Sequence, residues 1–261
     1  MTSKLSATVK NPSFLVAVMF PMYALVSWVL RATGARPQPT TRSMPVKIPM
    51  SYIAAMVPIC AALNLVGGYI ITTFRIPIFL DMMGTCVCAF TVGPWWAAVT
   101  GIITNVGETI LISPVYLPFA VINILGAIIW GYGARYLTKD FPRLLLLGVI
   151  AGFFTGICAT PIGVVLFGGA TGVPSDLITA AFLASGKSIW TADALSSVIS
   201  NEADKIFSTF IAVAIVARLP KVMRGEVKLA EAPTTRVIAY SVLGIVIGIV
   251  LTALIALKIL I

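Results

Sequence analysis

Long apolar segments separated by short polar ones dominate the chain. A helix that crosses a bilayer needs about 20 apolar residues, and segments of about this length lie at 12–31, 50–72, 94–113, 115–135, 143–167, 190–217 and 234–259. A shorter segment, 78–92, is interrupted by Asp81 and ends at Gly93-Pro94. The stretch 173–185 is too short and too polar to span, and we expect a helical loop there. The pattern predicts an all-α integral membrane protein with about eight crossings.

Two polar linkers divide these helices into three parts. The linker 31–47 holds three prolines, which favour an extended chain, and 218–236 is also polar. We therefore predict an extra N-terminal transmembrane helix with a basic linker, a six-helix membrane core, and a second basic linker with an extra C-terminal helix. Their boundaries are 1–47, 48–218 and 219–261.

Composition and charge support a membrane protein and predict its orientation. Hydrophobic residues make up 59% of the chain and charged residues only 10%, whereas a soluble domain is about a quarter charged. The net charge is +9, but 12 of the 18 Lys and Arg residues lie in the segments 31–47, 135–143 and 218–236. Alternating crossings place these loops on one side, as the positive-inside rule requires of cytoplasmic loops. We expect a multi-pass protein of the cell (cytoplasmic) membrane with both termini outside, and no nucleic-acid partner.

The residue inventory argues against an enzyme. The chain has no histidine, which excludes Ser-His-Asp and Cys-His catalysis and His-based metal sites. Its four cysteines lie in apolar surroundings without a C-x-x-C pair and resemble small buried hydrophobes. The segment "ASGKS" at 184–188 ends like a phosphate-binding P-loop, but Ala181 stands where that motif needs Gly. We expect no enzymatic activity, no cofactor and no metal.

Polar residues inside apolar segments mark the candidate site, because exposing an ionisable side chain to lipid costs about 3 kcal/mol or more. One face of the segment 94–113 carries Gly101, Thr104, Asn105, Glu108 and Thr109. One face of 190–217 carries Asn201, Asp204, Lys205 and Ser208, and Glu202 precedes Lys205 by three residues. We expect Glu202, Asp204 and Lys205 to form a structural ion pair between helices, with Asn201 facing a ligand.

Other polar positions have two interpretations each. Asp81 either caps a helix or contacts a ligand, with Arg75 as a plausible ion-pair partner. Asn64 either contacts a ligand or makes an interhelical hydrogen bond, and Trp190 either anchors at the interface or stacks on a ring. The glycine-rich connection 168–189 is expected to fold over the outer half of the core. The candidate substrate-binding residues are Asn64, Arg75, Asp81, Thr85, Asn105, Glu108, Trp190 and Asn201.

Five stretches, taken in order, resemble the substrate-binding S-components of energy-coupling-factor (ECF) transporters. They are "AALNLVGGYI" at 61–70, "IPIFLDMMGT" at 76–85, "VGPWWAAVTGIITNVGETI" at 92–110, "PFAVINILGAIIWGYGARYL" at 118–137 and "NEADKIFSTFIAVAIVARLP" at 201–220. The resemblance implies a six-helix membrane fold that captures a small vitamin or cofactor precursor from outside. It also implies docking, within the lipid, on a transmembrane coupling protein driven by two ABC-type ATPases. Family members dock through small residues of the first core helix, where this chain has Ala54, Ala55, Ala61 and Ala62.

Two other functions remain open. A secondary transporter would use Glu108, Asp204 or Glu202 as proton or cation sites and would need no ATPase partner. A sensor or membrane assembly factor would bind a ligand without transporting it, but no large cytoplasmic domain is predicted. Carboxylates outnumber the nearby Arg75 and Lys205 in the predicted core, which favours a neutral or cationic ligand.

Overall fold

The computed structural model describes residues 48–224, 227, 232–240, 242, 243 and 246, and over these residues the chain is all-helical, as predicted. The helices are α1 (Met50–Phe74), α2 (Met83–Thr91), α3 (Pro94–Leu111), α4 (Ala120–Leu137), α5 (Phe141–Phe167), α6 (Asp176–Ala184) and α7 (Ile189–Val216). Short 3-10 helices occupy Pro114–Phe119 and Lys221–Met223. The predicted helix 12–31 and most of 234–259 lie outside the described residues, so the two extra helices stay predictions.

Three of the described helical segments are long and apolar enough to cross a membrane. They are Met50–Phe74, Pro114–Leu137 and Phe141–Phe167. Helix α7 has 28 residues but carries four ionisable side chains, which lower its hydropathy although most of them are buried. These features support a membrane protein with more than one pass, whereas the count of eight crossings stays a prediction.

Local sequence determines where the long helices begin and end. The Asp140 carboxylate accepts a hydrogen bond from the Arg143 backbone N–H at 3.1 Å and caps the start of α5. That helix ends at Gly168, whose left-handed φ of 68° suits glycine. The Ser188 hydroxyl accepts from the Thr191 N–H at 3.3 Å and caps α7. These caps set the length of the helices that form the candidate site.

Helix α2 lies in the centre of the bundle. Each of its nine residues is buried, and it packs against α1, α3, α4 and α7. Gly84 allows this packing, because a Cβ there would overlap the carbonyl of Cys60. The helix begins later than the predicted residue 78, and Met82 rather than Asp81 occupies its cap position. Residues 75–82 therefore run as irregular backbone.

Helices α5 and α7 form the most extensive contact between described elements. Glycines recur every four residues along α5 in "GVIAGFFTG" (148–156). A Cβ at Gly152 would lie 2.7 Å from the Glu202 Cα, and one at Gly156 would lie 2.7 Å from the Val198 Cα. A small residue at every fourth position lets two helix backbones approach closely, and the glycines thereby fix the position of α7.

Candidate functional site

A cavity with an empty volume of about 680 Å³, which includes its opening, lies at one end of the bundle. The segment 79–82, the 3-10 helix with the start of α4, the end of α5, the connection 168–188 and the first half of α7 all line it. Its aromatic, charged and amide-bearing residues are Phe79, Tyr116, Phe119, Asp81, Asp176, Asp193, Lys205, Asn123 and Asn201. Polar and apolar groups from separate elements therefore meet around one space.

A charged cluster forms the part of the wall nearest α2. The Lys205 ammonium donates a hydrogen bond to the Asp204 carboxylate, and it lies 4.0 Å from Asp81 Oδ1. Asp204 Oδ1 also accepts from the Leu80 backbone N–H at 3.0 Å. The Lys205 nitrogen lies 5.6 Å from the centre of the Phe79 ring. These contacts attach the irregular segment before α2 to helix α7.

The ion pairing differs from the sequence-based expectation. Among the ion pairs of the described chain, Lys205 pairs with Asp204 and Asp81, and Glu202 is not a partner. Glu202 lies where α7 contacts α5, against Gly152, whereas Lys205 extends toward the segment before α2. Arg75 ends α1 in a left-handed conformation and is exposed, so Asp81 pairs with Lys205 rather than with Arg75.

The amide nitrogen and the carbonyl oxygen of the Asn64 side chain both make interhelical hydrogen bonds. Its amide nitrogen donates to the hydroxyls of Thr85 and Thr104, both at 2.9 Å. Its carbonyl oxygen accepts from the Gly84 backbone N–H at 2.6 Å. Because the side chain is completely buried and does not line the cavity, the structure supports the interhelical interpretation of this residue.

The same network continues to the cavity wall through Asn123. The Thr85 hydroxyl donates to Asn123 Oδ1 at 2.7 Å, and Asn123 Nδ2 donates to Asn105 Oδ1 at 3.2 Å. Asn105 Nδ2 in turn donates to the Tyr116 backbone carbonyl at 2.9 Å. Thr85 and Asn105 thus lie behind the wall, and Asn123 connects them to the cavity.

Glu108 is buried close to the cavity without lining it. Neither of its carboxylate oxygens has a hydrogen-bond partner among the described protein groups. Space for this side chain comes from Gly68 on α1, where an added Cβ would lie 2.5 Å from Glu108 Oε1 and 3.8 Å from the Asp81 Cβ. Glu108 is thus a neighbour of the Asp81–Lys205 contact, behind the wall.

The remaining predicted residues are divided between the cavity and the surface. Asp81 and Asn201 line the cavity. Trp190 is half exposed, and neither it nor Arg75 lines the cavity. The structure therefore brings two of the eight candidates to the cavity surface.

The proposed docking alanines do not form one surface. Ala54, Ala55 and Ala62 are exposed, and so is Pro58 between them. Ala61 is buried, with 2% of its surface exposed, because it lies on the face of α1 that packs against the bundle. The exposed stripe therefore consists of the other three alanines and the proline.

The sequence analysis missed several lining residues. Asp193 lies four residues before Ser197 and eight before Asn201. The helical periodicity that selected Asn201 therefore places Asp193 on the same face of the helix. Tyr116 and Phe119 lie in an apolar segment whose pattern does not distinguish lipid-facing rings from cavity-facing ones. Only the position of the 3-10 helix places these two rings beside the cavity.

No protein family, curated protein or solved structure significantly matches the chain. The assignment of function therefore rests on the cavity and the residues around it.

Proposed function

We propose that the chain is the substrate-binding membrane subunit of an ECF-type importer, with a six-helix S-component-like core. It captures a small vitamin or cofactor precursor from outside the cell, and partner subunits drive its uptake with ATP. The observation that carries this proposal is a cavity lined by aromatic and polar side chains from separate helices. Small-molecule sites combine a largely apolar lining with a few precisely placed polar groups.

The position of the cavity at one end of the bundle is consistent with uptake from outside. Helix α4 begins and α5 ends at the cavity, so the connection between them lies at the opposite end. That connection carries Arg135, Lys139 and Arg143, which belong to a predicted cytoplasmic loop. In this topology the cavity opens to the exterior.

The connection 168–188 has the properties of a cover for the captured molecule. Gly168, Gly169 and Gly172 all have positive φ angles, of 68°, 82° and 80°, which glycine adopts without strain. The Ser196 hydroxyl on α7 donates to the Ser175 carbonyl at 2.9 Å and holds the connection against the bundle.

The exposed stripe of Ala54, Ala55, Pro58 and Ala62 is the proposed docking face for a transmembrane coupling protein with two ABC-type ATPases. Small side chains let a partner helix approach closely in lipid. Ala61 has no part in this face because it is buried.

The proposal is tested by native mass spectrometry of the gently purified chain. We expect a co-purified small molecule whose retention falls in Asn201→Ala and Asn123→Ala, while Thr73→Ala, at an exposed position of α1, retains it. Proteoliposomes with the partner subunits should then take up that molecule only with ATP. Unchanged retention in both asparagine variants would contradict capture in this cavity.

Glu108 favours a second candidate, a proton- or ion-coupled secondary transporter that works without ATPases. A buried carboxylate whose two oxygens have no hydrogen-bond partner within the described part of the chain is the kind of group that carries a proton or a cation within a membrane. Proteoliposomes that contain this chain alone distinguish the two functions. Uptake driven by a pH or sodium gradient, and lost in Glu108→Gln, would favour the secondary transporter.

A further inference from the structure

The charges around the cavity leave an excess of carboxylate. Asp81, Asp176 and Asp193 line it, and Lys205 is the cation that lines it among the described residues. The charge of Lys205 is already balanced by its hydrogen bond to Asp204. A bound anion would therefore face a negative wall without a free positive charge.

The three lining carboxylates differ in how much hydrogen bonding they already receive. Asp176 accepts from the Thr171 hydroxyl at 2.9 Å and from the Gly172 backbone N–H at 2.7 Å. Asp193 accepts a long hydrogen bond, 3.5 Å, from the Ser197 hydroxyl, and Asp81 Oδ1 has no hydrogen-bond partner among the described residues. Asp193 is buried, with 7% of its surface exposed, so Asp193 and Asp81 are the lining carboxylates that can still accept a hydrogen bond from a ligand.

Most hydrogen-bond donors among the neutral polar groups of the wall already bind protein acceptors. The Ser196 hydroxyl donates to the Ser175 carbonyl, and the Ser197 hydroxyl donates to Asp193. The Asn201 amide donates to the Ser197 carbonyl at 2.8 Å. A hydroxyl that donates a hydrogen bond can still accept one through its oxygen lone pairs. The wall thus presents mainly acceptors, and the molecule that fills the cavity must supply the donors.

Aromatic rings line the cavity together with these acceptors. Phe79, Tyr116 and Phe119 contribute to the lining, and the Phe119 ring is held by stacking on Phe167 at 6.1 Å between centroids. The Phe79 ring already lies near one cation, the Lys205 ammonium. Aromatic faces attract organic cations and pack against flat apolar groups.

We infer that the cavity binds a small organic cation, a protonated amine or amidine attached to a ring. The N–H groups of the cation donate to Asp193 and to the carboxylate of Asp81, while the ring packs against the aromatic residues. This inference rests on the proposed capture of a solute in the cavity and specifies its chemical class.

Phenethylammonium is a suitable probe, with 2-phenylethanol and 3-phenylpropanoate as its neutral and anionic counterparts. Binding to the full chain in phosphatidylcholine nanodiscs is measured by ligand-observed NMR, and the Asp81→Asn/Asp193→Asn double variant provides the baseline for partition into lipid. We expect the ammonium to bind about tenfold or more tightly than the alcohol, because charge-assisted hydrogen bonds are about twice as strong as neutral ones. We expect no binding of the carboxylate above the baseline.

Three single variants identify the residue that selects the charge. Asp193→Asn should weaken phenethylammonium binding about tenfold, and Asp193→Glu should retain the preference for the ammonium. Glu202→Gln removes a carboxylate from the same helix outside the cavity lining and should leave the Kd unchanged. A melting temperature measured for each variant shows whether it is folded.

The inference and the proposed function can fail separately. Equal or tighter binding of the alcohol or the carboxylate would overturn the inference and leave capture in the cavity intact. Failure of the wild-type chain to bind phenethylammonium above the baseline would also overturn it. The proposed function fails on other evidence, when the chain retains no small molecule and supports no ATP-driven uptake.

Discussion

The backbone N–H of Leu80 donates a hydrogen bond to Asp204 Oδ1 at 3.0 Å, across 124 positions of sequence. Leu80 has a φ of 50°, which is uncommon for a residue other than glycine, and this contact helps to hold it there. The same Asp204 carboxylate accepts from Lys205. One buried side chain therefore both shapes the segment beside the cavity and neutralises the cation next to it.

Asp204→Asn should strongly destabilise the chain. The amide can still accept from Leu80, but Lys205 loses its main counter-charge, and breaking a buried ion pair costs about 3–5 kcal/mol. We expect a clear fall in the melting temperature of the detergent-purified protein. Asp204→Asn/Lys205→Met should recover part of the loss, because the buried ammonium is removed together with its main counter-charge, and only the weaker contact of Lys205 with Asp81, at 4.0 Å, is lost in addition. A single variant that melts like the wild type would contradict the role of this pair.

Asn64→Leu should destabilise the junction of α1 and α2. The substitution removes the acceptor of the Gly84 N–H, and an unsatisfied buried donor costs about 1–3 kcal/mol. Thermal unfolding measures the effect. Thr73→Ala, at an exposed position of the same helix, should change stability by less than about 0.5 kcal/mol. Similar melting temperatures for the two variants would mean that the network adds little to stability.

Gly152→Val should separate α5 from α7. The new side chain would overlap the Glu202 backbone, and overpacking of this kind costs about 1–3 kcal/mol. We expect a lower melting temperature together with weaker retention of the bound solute, since α7 carries part of the cavity wall. Val149→Ala, at an exposed position of α5, is the control and should affect neither property. The prediction fails if the two variants cannot be distinguished.

Glu108→Met should stabilise the chain. Two buried oxygens that accept no hydrogen bond from the residues the structure describes are replaced by an apolar side chain of similar length, which removes a penalty of about 1–3 kcal/mol. Retention of the solute should be unchanged, because Glu108 does not line the cavity. A fall in melting temperature would contradict the prediction and indicate that the carboxylate is stabilised where it lies.

Much of the helical architecture follows from local sequence. Apolar length located the long helices, and the Gly93-Pro94 pair marked the end of α2. The 173–185 segment was recognised from its length and polarity and is helical over Asp176–Ala184. The predicted start of α2 was wrong because the conformation of residues 75–82 depends on contacts with α7, which is distant in sequence and therefore absent from any local pattern.

The candidate site was less predictable for a related reason. Helical periodicity identified Asn105, and its polarity within an apolar segment identified Asn64, as candidate site residues, and both are buried. It could not indicate that Asn64 uses its hydrogen-bonding groups on neighbouring helices, or that Asn105 faces Asn123 instead of the cavity. Hydrogen-bond partners depend on how helices are placed around one another, and that information is spread over the whole chain.

The shortness of α2 has a consequence for the barrier that the protein presents. Its nine residues span about 13 Å at ~1.5 Å per residue, less than half of a hydrocarbon layer about 30 Å thick. Irregular backbone at that depth must be covered by protein or wetted by a water-filled space, and the segment before α2 borders the cavity. A polar molecule bound beside Phe79 would therefore be surrounded by protein, and α2 would separate it from the opposite side of the membrane.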